Sequence, residues 1–177
     1  MYYVPKRRVP VVVWMDSRRM WRGHLFLDQR TGAQRSQTLL EKLNESQVFV
    51  PLAVGEGDNI ELIQKPFIFR VTPGAGAELT EVFVRDARLS RQEGVELVFR
   101  DGSTLMGTMW MALSHESQRV SDFLNDQAER FFPLMAGTTA HLVNAASVMR
   151  VRVLQPAPTV PAAPQLGSGG SLGVPEP

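Results

Sequence analysis

The chain of 177 residues contains no cysteine. Disulfides, thiolate metal ligands and cysteine nucleophiles are therefore excluded for it, and a reducing compartment suits it. Long apolar runs are also lacking. The longest near the start, Val9 to Met15, follows Lys6-Arg7-Arg8; it is too short for a spanning helix and has no small-residue cleavage site behind it. The expectation is a soluble, cytoplasmic protein without membrane insertion. A surplus of one charge is missing too, because 19 basic side chains stand against 18 acidic ones, so no global field draws the chain to nucleic acid or an anionic membrane. The imbalance is local: residues 1–30 hold seven basic and two acidic side chains, and the remainder carries a net charge of −4.

Catalytic patterns are equally scarce. His24, His115 and His141 are scattered, without the spacing that puts two imidazoles on one helical face for a metal. No G-x-S-x-G elbow or Walker A loop occurs, and Gly74-Ala75-Gly76 runs into Ala77-Glu78-Leu79, which fails the third glycine of a dinucleotide fingerprint. Glu41 and Asp122 read as exposed charges near helices rather than an acid/base pair. The expectation is no enzymatic activity, no cofactor and no metal.

What is present is patterned as strands. Val9 to Asp16 is rich in valine with a tryptophan, and Trp21 to Leu27 follows a turn at Arg18-Arg19; β-branched and aromatic residues in short runs favour strands. Gly23 inside the second run suggests a bend or bulge. Leu39, Leu40 and Leu43 fall on one side of a short helix, with Thr38 and Glu41 spaced as a capping box. Gln47 to Val54 returns to strand character, residues 55–59 make a turn, and Ile60 to Val71 gives two strands or one interrupted by Pro66. After the connector-like Thr72 to Ala77, Leu79 to Arg85 and Gly94 to Arg100 read as strands. Asp101-Gly102 is a hairpin turn, and Thr104 to Leu113 is the returning strand.

The order of signals repeats. Gln37 to Leu52, QTLLEKLNESQVFVPL, is echoed by Gln118 to Leu134, QRVSDFLNDQAERFFPL. Gly23 matches Gly107, Asn44 matches Asn125, Pro51 matches Pro133, and Arg70-Val71 matches Arg150-Val151, at separations of 80 to 84 residues. Self-similarity in several blocks of one order implies an internal duplication. Leu43, Asn44, Pro51, Leu124, Asn125 and Pro133 form its structural motif. In it each asparagine closes a helix in the left-handed conformation, and Phe49, Val50, Phe131 and Phe132 are core.

Two resemblances follow from these residues. Arg119 to Asn125, Arg130 to Leu134, Leu142-Val143-Asn144 and Val148 to Val151 resemble, in order, a group of small uncharacterised bacterial proteins with an RLSDFLN, FLPL and LVNK signature. The sequence departs from it at Ala145 and Ser147. VELVFRDGSTLMGTM is similar to the first motif of Sm-like barrels, with Asp101-Gly102 and Gly107 in the corresponding places. The first resemblance implies no activity, and RNA binding does not carry over from the second.

The resulting expectation is a mainly β protein of two tandem, small barrel-like or bent-sheet modules. The boundaries are 1–71 for the first module, 72–78 for a linker, 79–154 for the second module and 155–177 for a disordered tail with six prolines and four glycines. Small modules must cover their sheet edges, so the expected function is a non-catalytic scaffold or adaptor of a bacterial assembly, through a protein partner or self-association. The alternative is nucleic-acid or anionic-ligand binding through Lys6, Arg7, Arg8, Arg18, Arg19, Trp21 and Arg22, where guanidinium groups meet an aromatic face. A hairpin turn with an inward tryptophan accounts for the same residues.

Overall fold

The computed structural model describes residues 6–29, 35–55, 59–84, 90–112, 119–126 and 130–154; the expected tail, 155–177, lies outside the described residues. Valines 9, 11 and 13 alternate inward along β1 (Lys6–Trp14), and the chain returns antiparallel as β2 (Met20–Asp28). Helix α1 (Leu39–Asn44) starts on the expected capping box: the Glu41 N–H donates to Thr38 Oγ1, and the Thr38 N–H to the Glu41 carboxylate. Leu39 and Leu43 are its buried face. Strands β3 (Phe49–Val54) and β4 (Asn59–Gln64) form the next hairpin, and a 3-10 turn at Lys65–Phe67, carrying Pro66, leads into β5 (Arg70–Pro73).

Helix α2 (Leu79–Val82) corrects the strand expected from Leu79 to Arg85. Glu78 and Glu81 make a reciprocal capping box there, which satisfies N–H groups that a helix start leaves orphaned. Arg85 itself is outside the described residues. Val82 and Phe83 are buried in the core cluster that the first five strands share with Phe131, Ala140 and Leu142, although the sequence places them at the start of the second unit. Then come β6 (Ser90–Phe99), β7 (Thr104–Ala112), α3 (Val120–Asp126), β8 (Phe131–Ala136), β9 (Thr139–Asn144), a 3-10 turn at Ala145–Ser147 and β10 (Val148–Val153).

Among the described residues the ten strands form one sheet, in the order β10-β6-β7-β8-β9-β5-β1-β2-β3-β4, with all registered pairs antiparallel. The mainly β expectation holds, but separate barrel-like modules do not. A single sheet, open at β4 and β10, runs through both halves because β5 pairs with β9. The order β5-β1-β2-β3-β4 on one side of that pairing is the order β10-β6-β7-β8-β9 on the other.

Two glycines are explained by close approach rather than by a bend. A Cβ on Gly23 would lie 2.2 Å from the Ala53 carbonyl oxygen, and one on Gly107 would lie 2.5 Å from that of Met135. Each side chain is missing where the neighbouring strand's backbone passes, two residues after Pro51 or Pro133. Both prolines also stand just before the first residue paired to the preceding strand, Leu52 or Leu134, where an absent N–H costs no ladder bond.

Candidate functional site

The middle of the sheet is where the two halves meet, and its polar side chains act as a clasp. Arg70 stands opposite Val143 and Val71 opposite Leu142, and the Asn144 N–H extends the ladder to the Phe69 carbonyl at 2.9 Å. The Asn144 side chain is fully buried. Its amide donates to the carbonyls of Lys65 and Ile68 at 3.1 and 2.8 Å, and its oxygen accepts from the Ala146 N–H at 3.0 Å. The Ser147 hydroxyl lies 3.1 Å from the Phe69 carbonyl and 2.6 Å from that of Asn144. Buried amides hold register when all their hydrogen bonds are made, so Asn144 fixes how β9 sits on the turn before β5.

A second clasp crosses the same boundary from α1. Asn44 Nδ2 donates to the Phe131 carbonyl at 2.9 Å, and the Phe131 N–H donates to Asn44 Oδ1 at 2.8 Å. The amide thus mimics a strand neighbour for Phe131, which precedes the residues of β8 paired with β7. This corrects the left-handed cap expected of Asn44. Among the described residues no non-glycine has positive φ, and the chain leaves α1 through Glu45 at φ −55° and ψ 155°. Asn125 lies within α3 and is exposed. Of the remaining motif residues, Leu43 is fully buried, Leu124 packs on the second core cluster, and Pro51 and Pro133 are half-buried.

Beneath this clasp lies Lys65, 2% exposed, whose Nζ donates to the Glu45 carbonyl at 2.8 Å. Burial pushes its ammonium pKa down, against the pull of the Glu45 carboxylate. On the other side, Trp14 Nε1 donates to Thr72 Oγ1 at 3.2 Å, and Thr72 Oγ1 is 2.9 Å from His141 Nδ1. The hydroxyl accepts from the indole and shares a hydrogen bond with the imidazole Nδ1. Burial, and then the Arg70 charge, push the His141 pKa down to about 4. Arg70 stacks over Trp14 at 4.7 Å.

The basic residues singled out in the sequence do not form one patch. Lys6, Arg7 and Arg8 lie at one end of the β1–β2 hairpin, where Lys6 faces Asp28; Arg18 and Arg19 lie in the turn at the other end. Arg7 ion-pairs with Glu81 and Arg8 stacks on Phe26. Arg19 is held by Asp16, whose carboxyl is kept below its ordinary range by hydrogen bonds from Arg19 and Arg18. Trp21 is 41% exposed rather than inward. It borders an open groove of about 540 Å³ with Arg19, Phe67, Arg100 and Asp101, while Arg22 lines a separate hollow with Gly23 and Gly74. The Ser17 N–H donates to Asp101 at 2.7 Å, joining the two hairpin turns. Burial opposes charge on Asp101, but hydrogen bonds from Ser103 and Ser17 outweigh it and hold its carboxyl well below the usual range.

The sheet's open edges carry apolar side chains: Ile60 and Leu62 on β4, and Met149 and Val153 on β10, all at least 47% exposed. Phe49 on β3 is 48% exposed, which corrects its expected place in the core, whereas Val50, Phe131 and Phe132 are buried as expected. Among the described residues no group of three histidine or acidic side chains is placed to hold a metal ion, and no helix is long and apolar enough to cross a membrane. Asn144 and Lys65 were missed in the sequence. An Asn before a short Ala-Ala-Ser turn was the available signal for Asn144, whereas nothing local announces a buried lysine. Comparison with family models, curated proteins and solved structures yields no match.

Proposed function

We propose that the chain is a non-catalytic protein-interaction scaffold of a bacterial cytoplasmic assembly, built by internal duplication of a five-stranded module and binding a protein along its sheet edges. The observation that carries this reading is the pair of open edges, β4 and β10, with Ile60, Leu62, Met149 and Val153 exposed. Unpaired ladder groups beside apolar side chains are the elements of strand addition, in which main-chain bonds give affinity and alternate side chains give specificity. The duplication is supported by the recurring strand order and by the two glycines that abut equivalent carbonyls. Residues 155–177 add a proline-rich segment of the kind that aromatic grooves bind.

Affinity isolation from a bacterial lysate tests the reading, using the full chain, the chain ending at Leu154, and a Leu62→Lys edge variant. Specific retention of a protein that Leu62→Lys loses is expected. Equal retention by both, or none by either, refutes it.

A second reading, binding of single-stranded nucleic acid, is favoured by the groove in which Arg19, Trp21, Phe67 and Arg100 converge. It predicts low-salt binding that Arg19→Glu with Arg100→Glu abolishes. Binding that survives both charge reversals removes it.

A further inference from the structure

We propose that the partner at the open edges is a second copy of this chain, docked head to tail so that β10 of one copy pairs with β4 of the next. This rests on the edge-binding reading above and names the occupant. The template is the junction inside the chain. There β5 pairs with β9; in the two five-strand runs β10 holds the place of β5, and β4 that of β9. The junction joins unlike edges and uses up one of each, leaving the complementary pair free at the ends of the sheet. A heterologous contact of this kind can repeat from copy to copy.

Burial at equivalent positions shows what is left uncovered. Leu142 is 0% exposed at the junction, but Leu62, in its place on β4, is 66% exposed. Ala140 is 3% exposed and Ile60 is 47%. Across the junction Phe69 is 8% exposed, while its counterpart on β10, Met149, is 66%. Phe131, covered by Asn44, is 0% exposed, and Phe49 is 48%.

The register follows from the internal one. Val71 opposite Leu142 and Arg70 opposite Val143 place Val151 opposite Leu62 and Arg150 opposite Ile63 of the next copy. The groups needed are available. Pro51 faces Leu62 in the β3–β4 pair and has no N–H to give, so Leu62 directs its own backbone groups outward, as Leu142 does toward β5. The second clasp has its parts as well. Exposed Asn125 of one copy meets the Phe49 backbone of the next, as Asn44 meets that of Phe131. Gln64, in the place of Asn144, reaches the Ala145–Ser147 turn.

The test is light scattering after size-exclusion chromatography on the full chain and on two variants, Leu62→Lys and Met149→Lys, from micromolar to sub-millimolar concentration. Both side chains are exposed, so thermal melts of the variants should match the wild type at dilutions where all three are monomeric. Wild type is expected to assemble beyond the monomer, and each variant alone to be monomeric. Mixed together, the variants should give a one-to-one heterodimer, because one keeps its β10 edge and the other its β4 edge.

A monomeric wild type, assembly that survives both substitutions, or a mixture that stays monomeric would each overturn the proposal. A monomeric wild type that still retains a foreign protein lost by Leu62→Lys overturns it while leaving the scaffold reading intact. Assembly of copies with no foreign protein retained has the opposite result.

Discussion

Asn44→Ala and Asn125→Ala are the same substitution at the two Leu-Asn positions of the sequence, and the structure assigns them different costs. Asn44 satisfies both the N–H and the carbonyl of Phe131, at 2.8 and 2.9 Å, beside a side chain that is 0% exposed. Removing it orphans two backbone groups near buried surface, at about 1–3 kcal/mol each. A total loss of about 2–6 kcal/mol follows, and for a domain of this size each kcal/mol lowers Tm by about 2–4 °C. Asn125 is exposed in α3, so Asn125→Ala should change the stability of an isolated copy by no more than about 0.5 kcal/mol. Urea titrations followed by tryptophan fluorescence and circular dichroism, at dilutions where the protein is monomeric, give both numbers. Asn44→Asp adds a control, since it keeps an acceptor for the Phe131 N–H but sets a charged acceptor against the Phe131 carbonyl in place of the donor; it should not restore wild-type stability. If Asn44→Ala and Asn125→Ala agree within about 0.5 kcal/mol, the strand-mimicking role of Asn44 is wrong.

A Cβ at Gly23 or Gly107 would enter the space of a backbone carbonyl, so either change to alanine should cost at least about 2 kcal/mol through strand displacement. Gly94→Ala, whose new Cβ would find Leu154 at 3.5 Å, should cost less than about 1 kcal/mol by the same measure; equal urea midpoints would contradict this. Phe131→Ala should lose about 3–5 kcal/mol and Phe49→Ala less than about 1 kcal/mol, and melting curves decide. His141 is neutral in the fold, with its pKa pushed from 6.5 to about 4. The unfolded chain therefore binds the extra proton between those values, and stability present above pH 6.5 declines as pH falls toward 4. That gap corresponds to at most about 3 kcal/mol, and to about 1–2 kcal/mol once solvent screening at a half-buried site is allowed for. His141→Phe should flatten this stretch of the stability–pH curve, and an unchanged slope would exclude His141 as its source.

Much of the strand content was legible because its signals are local. Alternating valines announce β1, the Thr38–Glu41 spacing announces the start of α1, and Gly102, with φ 82°, turns the β6–β7 hairpin as Asp101-Gly102 suggested. Leu79 to Arg85 misled because its apolar residues fit either period, and the Glu78–Glu81 box that decides for α2 went unweighed. The rest was illegible for a different reason. Asn44 and Phe131 are 87 residues apart, and Asn144 reaches carbonyls 76 and 79 residues away. Chain-neighbour patterns encode no such pairing. Phe49 read as core because its motif matched that of Phe131, but burial depends on the neighbour supplied, and only Phe131 has Asn44 over it. The basic cluster failed similarly: Lys6 to Arg8 and Arg18 to Arg22 are close in sequence, and a nine-residue strand holds them apart.

The positions where the two five-strand runs differ are therefore informative. At the internal junction, where covalent continuity keeps the partners together, the register is set by Asn144, a short amide that is fully buried and satisfied on both sides. Its place on β4 is taken by Gln64, half-buried at the open edge, with one more methylene and more rotamer freedom to lose on ordering. The same contrast separates Phe69, stacked on Phe99 at 5.7 Å, from Met149, an unbranched side chain able to adapt to more than one surface. Stiffer residues line the internal junction, and more adaptable ones line the open edges. A junction between copies built from Gln64 and Met149 would thus be weaker than the internal one for a definable reason. Gln64→Asn together with Met149→Phe should tighten assembly if β10 meets β4 in the internal register, and leave it unchanged if the edges meet otherwise.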